Sequence, residues 1–171
     1  MEKTFKFSVK SLDEQGQFTG LASVYGNVDL GGDVVMPGAF TKSLADRGGE
    51  IPILFQHDMR EPIGLGKLKD GPSGLEIQGK LVLEVAKARE AYSLLKAKVL
   101  RGLSFGYDTV KSDIQAGVRY LRELKLYEVS LVTVPMNELA TVTAVKTNEQ
   151  PSVNWQIEQF RTLLEQCKGR F

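Results

Sequence analysis

The 171-residue sequence contains one cysteine and one histidine. One cysteine forms no internal disulfide, and one cysteine with one histidine cannot build a Cys/His zinc centre. No metal site and no cofactor is expected. No run approaches the roughly 18 consecutive apolar residues that read as a membrane span. The first residues, Met1-Glu2-Lys3-Thr4-Phe5-Lys6-Phe7, alternate from the start and form no signal-peptide apolar block. The expected compartment is therefore the cytosol. An excess of charge of either sign is also missing: 22 Lys and Arg stand against 21 Asp and Glu, a formal charge of +1. Such a balance gives no general pull toward nucleic acid or an anionic membrane. Any imidazole chemistry must use the single histidine, His57.

What is present is ordinary for a globular chain. A hydrophobic fraction of 42% and 171 residues suffice for one domain with a real core, or one domain with a tail. Phe5, Phe7 and Val9 alternate with polar residues, and Phe18, Gly20, Ala22 and Val24 do the same after a turn at residues 13–16. Period two is the mark of half-buried strands, here an opening hairpin. Residues 27–38 are rich in Asn, Asp and Gly and read as a loop. A short helix over residues 39–44 follows Pro37 and ends at Gly48 and Gly49. Residues 51–55 are nearly all apolar, as in a strand buried on both faces. Further strands are expected at 65–68 and 75–83. Residues 86–100 form the clearest helix, with Ala88, Tyr92, Leu95 and Val99 on one stripe and Gly102 as its C-terminal stop. Residues 103–107 alternate as a strand, and 118–134 read as one long or two shorter strands stopped by Pro135. Residues 144–154 resemble a linker. Val153, Ile157, Phe160, Leu164 and Cys167 then form the apolar stripe of a last helix. The expected division is a barrel domain over 1–145 and a linker with C-terminal helix over 146–171. The fold class is β-rich α+β, barrel-like with peripheral helices.

Three residues carry candidate chemistry. His57 stands where an apolar strand gives out; it is a base held at the edge of a core or simply a half-exposed strand-end histidine. Ser104 lies in Gly102-Leu103-Ser104-Phe105-Gly106, its side chain expected opposite Leu103 and Phe105. It is a nucleophile or a solvent-facing serine. The order helix, glycine, strand is not the strand-to-helix nucleophile elbow of α/β-hydrolases. Glu128 shares strand parity with Leu124, Leu126, Val132 and Val134. A carboxylate on an apolar face must be paired or hydrogen-bonded, either in a structural ion pair or as the orienter of an imidazole. Together the three supply a base, a nucleophile and an acidic orienter in the order His, Ser, Glu, and triads occur in several chain orders.

Four blocks in order complete the pattern. They are Gly20-Leu21-Ala22-Ser23-Val24-Tyr25-Gly26-Asn27-Val28-Asp29 continuing to Pro37-Gly38-Ala39-Phe40; Leu54-Phe55-Gln56-His57-Asp58 with Pro62-Ile63-Gly64; Leu103-Ser104-Phe105-Gly106-Tyr107; and Leu126-Tyr127-Glu128-Val129-Ser130-Leu131-Val132 ending at Pro135-Met136-Asn137. Over residues 5–145 the chain resembles the HK97-type caudovirus prohead (capsid maturation) proteases. The resemblance implies a serine endopeptidase with a β-barrel related to the herpesvirus assemblins, His57 as catalytic histidine and Ser104 as nucleophile. Herpesvirus enzymes carry a second histidine as third member, which this chain cannot supply. Glu128 matches the family's acidic strand position, and Asp58 is the runner-up. Oxyanion donors are expected among backbone amides of the Gly-rich stretches, Arg101 or Arg122. The implied partner is the major capsid protein with its scaffold segment, cleaved inside the immature capsid in the bacterial host cytoplasm. Self-cleavage near residues 144–154 is a further expectation. The last stripe could pack on its own domain, bind scaffold or join a second copy into a homodimer or larger homo-oligomer. Two other readings stay open: a catalytically idle capsid-assembly module on the same fold, and a hydrolase of small esters.

Overall fold

A computed structural model describes residues 16–146. The expected first strand at 5–9 and the last helix lie outside the described residues. The chain runs β1 (Gln17–Val24), β2 (Asp33–Val35), α1 (Thr41–Arg47), β3 (Glu50–Phe55), β4 (Asp58–Asp70), β5 (Gly74–Leu81), α2 (Ala86–Lys96), β6 (Gly102–Gln115), β7 (Val118–Val132) and β8 (Val142–Val145). All eight strands join one sheet in the order β2-β7-β3-β4-β5-β1-β8, with β6 on the other side of β7. The sheet curls until its ends meet. Leu21 N–H donates to Thr141 O at 3.0 Å, Leu103 N–H to Ala140 O at 2.9 Å and Val142 N–H to Arg101 O at 2.8 Å. The segment before β8 thus ties β1 to the start of β6, which leaves fewer open edges to protect. A barrel-like β fold with peripheral helices is observed, as expected, and none of the helices described is long and apolar enough to cross a membrane.

The alternating apolar residues of the strands fill the interior. Phe18, Ile51, Ile53, Ile63, Leu75, Ile77, Leu103, Leu121, Leu126, Val129 and Leu131 are all at most 2% exposed. The ring of Phe40, just before α1, meets Phe105 edge-on at 5.3 Å between centroids and stacks near Tyr25 at 6.1 Å. Such aromatic contacts add to the burial itself. α2 presents Ala88, Ala91, Tyr92 and Leu95 to the core, four positions of one helical stripe.

Several boundaries differ from expectation for identifiable reasons. α2 stops at Lys96, because Lys98 takes the left-handed conformation (φ 59°) that was assigned to Gly102. Val99, expected on its stripe, is 64% exposed. α1 begins at Thr41, after a turn over residues 37–40, and does end at Gly48, whose φ is 65°. The segment read as a loop contains β2, which pairs in parallel with Arg119–Leu121 of β7. Asp33 is buried there against Arg119, whose Nε donates to Asp33 Oδ1 at 2.7 Å. The strand expected at 65–68 is β4, which runs the full Asp58–Asp70. β6 extends well past residues 103–107, to Gln115, and pairs along its length with β7, a single strand within the expected 118–134. Residues 144–145, assigned to a linker, belong to β8 and pair with β1.

Leu126 is fully buried at the centre of β7. Leu126→Ala should lower unfolding free energy by about 2–5 kcal/mol. Val134→Ala, at a residue 75% exposed, should stay within about 0.5 kcal/mol of the parent. Denaturant titration of both variants checks the pair.

Candidate active site

β7 organises the site. Its last residues pair with β3 in parallel, Leu54 opposite Ser130, and with β6 in antiparallel, Ser104 opposite Ser130 and Gly106 opposite Glu128. Residues directly opposite on antiparallel strands project from the same face. Ser104, Ser130 and Glu128 therefore share one face of the sheet, while Leu103, Phe105, Val129 and Leu131 point into the barrel. The expectation that Glu128 shares the face of Leu124 and Leu126 is corrected here. The ladder slips between Gly106 and Tyr107, with Tyr107 opposite Leu126, so Tyr127 is the extra residue of a β-bulge. The bulge leaves Leu126 in the core and turns Glu128 to the opposite side.

His57 arrives from the other flank. It is not on a strand but in the two-residue turn between β3 and β4, where Phe55 pairs with Asp58. Gln56 and His57 have φ of 54° and 59°. Two successive positive φ values belong to the tight hairpin turn that matches strand twist, though they are unusual for residues other than Gly, Asn and Asp. Local bonds hold the turn. Gln56 N–H donates to Leu131 O at 3.0 Å, its Nε2 donates to Thr133 Oγ1 at 2.6 Å, and His57 N–H donates to Ser130 Oγ at 3.1 Å.

The turn swings the imidazole over Glu128. His57 Nδ1 lies 2.6 Å from Glu128 Oε1. The second carboxylate oxygen, Oε2, accepts the Ser130 hydroxyl at 2.6 Å. The Glu128 side chain is 5% exposed and that of His57 44%. An ionised carboxylate only accepts, so Nδ1 carries the proton and Nε2 is left as the free base. The hydrogen bond to Glu128 raises the His57 pKa above its ordinary 6.5, burial opposes the rise, and the carboxylate's charge adds to it. Gly106 makes room for this arrangement: a Cβ there would stand 2.6 Å from Glu128 Oε1. The absence of a side chain at Gly106 thus serves to seat the carboxylate.

Ser104 sits on the face of Glu128 and Ser130, directly across from Ser130, and its hydroxyl has no hydrogen-bond partner among the described residues. His57, Glu128 and Ser104 are thus gathered in one neighbourhood. Asp58 is not part of it. Its carboxylate accepts Arg60 N–H at 2.9 Å, Nε at 3.0 Å and Nη2 at 2.8 Å, and these side-chain bonds hold its pKa down to about 2. Arg122 is likewise removed from the oxyanion candidates, because its guanidinium is engaged by Asp113 far along the β6–β7 arm. Arg101 lies just before β6, three residues before Ser104, and is exposed. Sequence reasoning missed Ser130. The signal was its position two residues after Glu128, on the same face of a strand.

Comparison with known proteins identifies the family and the fold. The caudovirus prohead serine protease family matches residues 5–154. The chain is 32% identical to the prohead protease of Enterobacteria phage HK97 over 139 residues, 78% of this chain and 62% of that protein. It is 31% identical to the prohead protease of Escherichia phage T5 over 149 residues, 81% of this chain and 70% of that protein. Its 36% identity to the capsid polyprotein of Pseudomonas phage PAJU2 covers 81% of this chain but 21% of the polyprotein. The chain therefore spans less than two thirds of two of these relatives. Among solved structures, the KSHV protease in complex with a hexapeptide phosphonate inhibitor matches with a TM-score of 0.53 and 14% identity, over 88% of this chain and 77% of that one. That likeness is one of fold. By sequence and length of match, this chain belongs to the caudovirus prohead serine protease family.

Proposed function

We propose that this chain is a serine endopeptidase of capsid maturation, with Ser104 as nucleophile, His57 as general base and Glu128 as the group that orients the imidazole. The observation that carries the reading is the 2.6 Å contact from His57 Nδ1 to a buried Glu128, on the sheet face that Ser104 shares. Ser104 Oγ attacks a peptide carbonyl while His57 Nε2 takes its proton; the same imidazole then protonates the leaving amine. Glu128 fixes the tautomer and stabilises the imidazolium that forms. Water completes the cycle by attacking the acyl-enzyme, again with His57 as base. An open position of Ser104 before substrate arrives fits this scheme, since catalytic hydrogen bonds tighten in the substrate complex.

The substrate we assign is the scaffold segment of the major capsid protein, cut inside the immature capsid in the bacterial cytoplasm, with self-cleavage as a second event. Relatives described as prohead proteases support the setting, and the match within a capsid polyprotein supports the capsid protein as partner.

Coexpression with the cognate capsid protein, read by mass spectrometry, tests the assignment. Ser104→Ala and His57→Ala should each keep the fold and abolish every cleavage product, since no second histidine can substitute. Cleavage that survives Ser104→Ala overturns the serine assignment. Wild-type protein that binds capsid protein, cuts nothing and ignores a serine-directed phosphonate is an idle assembly module instead.

The pH profile is a separate test. A base must be neutral, so activity should rise through the elevated His57 pKa, on a limb above 6.5. Glu128→Gln removes the causes that raise it and leaves burial, which lowers it. The limb should move to lower pH while kcat falls roughly 10⁴-fold, as for loss of an orienting carboxylate elsewhere. The same linkage acts on folding. The pair's stabilisation is full below the unfolded imidazole pKa and fades as pH rises through the higher folded value. NMR titration of the one imidazole reports the folded value directly.

A further inference from the structure

Among the described residues, Ser130 is the one buried polar side chain that touches both halves of the imidazole–carboxylate pair. It is fully buried in β7, opposite Leu54 of β3 and Ser104 of β6. A hydroxyl has one proton to give and lone pairs to receive. Ser130 gives its proton to Glu128 Oε2 at 2.6 Å and receives the His57 backbone N–H at 3.1 Å. Its two partners are the carboxylate that holds the ring and the main chain that carries the ring. Between them they close a loop: Ser130 Oγ to Glu128 Oε2, Glu128 Oε1 to His57 Nδ1, and His57 N back to Ser130 Oγ.

We infer that Ser130 is a positioning residue that sets the geometry of the His57–Glu128 pair. Without its hydroxyl, Glu128 Oε2 is buried with no donor and is free to rotate toward other groups. The His57 amide loses its acceptor in a turn whose left-handed backbone (φ 59°) needs support. Both changes shift the imidazole relative to Ser104, and displacement of a catalytic group by about 1 Å can cost 100-fold in rate. Substrate itself is not touched by Ser130 in this account, so binding should be spared. The inference rests on the proposed triad for its kinetic consequence but not for its geometric one.

The test uses both. Because the chain has one histidine, its imidazole N–H proton gives a single assignable NMR signal. Wild-type protein should show that Nδ1 proton downfield and protected from exchange. Ser130→Ala should broaden or lose it while the remaining amide spectrum persists, and Ser130→Thr, which keeps the hydroxyl, should restore it. If Ser130→Ala fails to fold, Ser130→Cys, a weaker donor of similar size, should show the intermediate effect. In turnover, Ser130→Ala should lower kcat roughly 10- to 100-fold at unchanged KM. In a Glu128→Gln background the same change should add less than about threefold, because the pair it positions is already lost. A purely structural serine would cost the same factor in both backgrounds. An unchanged Nδ1 signal in Ser130→Ala, or full additivity with Glu128→Gln, overturns the inference. Loss of the signal in a chain whose wild type cleaves nothing overturns the protease reading and leaves the positioning role intact.

Discussion

A carboxylate that is 5% exposed must have its charge answered where it sits. Left unpaired, such a group costs several kcal/mol or takes up a proton. Glu128 is answered from two directions, by the His57 ring and by the Ser130 hydroxyl. Those donors come from different parts of the chain, one from the hairpin between β3 and β4, the other from β7 itself. The carboxylate is therefore satisfied only when β3 lies against β7 in the observed register, with Leu54 beside Ser130. A slip by one residue would turn Ser130 and Glu128 into the barrel and bring Val129 and Leu131 out. Register, burial and site geometry are one constraint.

The same constraint explains where the backbone is strained. A turn of two positive-φ residues reverses the chain tightly enough to bring the His57 ring back over β7. For residues with side chains that conformation costs about 1–2 kcal/mol each. The cost is offset by bonds from Gln56 to Leu131 and Thr133 and from His57 to Ser130, at the end of β7 and the residue after it. On the other flank, Gly106 leaves a gap in β6 that the Glu128 carboxylate occupies. The bulge at Tyr127 completes the arrangement by turning Glu128 out of the core face held by Leu124 and Leu126. Three backbone irregularities, the positive-φ turn, the gap at Gly106 and the bulge at Tyr127, together aim side chains into the site.

The elements that were legible in the sequence are those with strong local signals. The apolar run of β3, the stripe of α2 and the glycine stop of α1 depend on nearest neighbours along the chain. β2 was not legible, because Gly31-Gly32-Asp33 reads as a turn and the strand exists through parallel pairing with residues some 86 positions away, where Arg119 meets Asp33. The outer half of β6 was not legible either, since its exposed residues bury no alternating face. Glu128 was singled out by its parity with Leu124 and Leu126, and the bulge shows that parity to be interrupted. The residue was still conspicuous because an acid among Leu126, Val129, Leu131 and Val132 has to be paired wherever it points. Asp58 had the more obvious sequence position beside His57 and is engaged by Arg60, a partner two residues on that no periodicity marks. Ser130 lay in plain view in the same strand and carried no charge to draw attention.

A single histidine has a further electrostatic consequence. In the proposed mechanism an imidazole third member would present Nδ1 with a neutral acceptor. Glu128 presents a charge instead, which stabilises imidazolium before any substrate is bound and so raises the pH at which the base becomes free. The same charge favours the transition state, where His57 is becoming imidazolium, and the two effects oppose each other in rate at neutral pH. Ser130 moderates both. A hydrogen bond donated to Oε2 draws carboxylate charge toward that oxygen and away from Oε1, the oxygen that faces the ring. A carboxylate that carries its own buried donor can orient the imidazole firmly and still leave it basic enough, yet free often enough, to take a proton from serine.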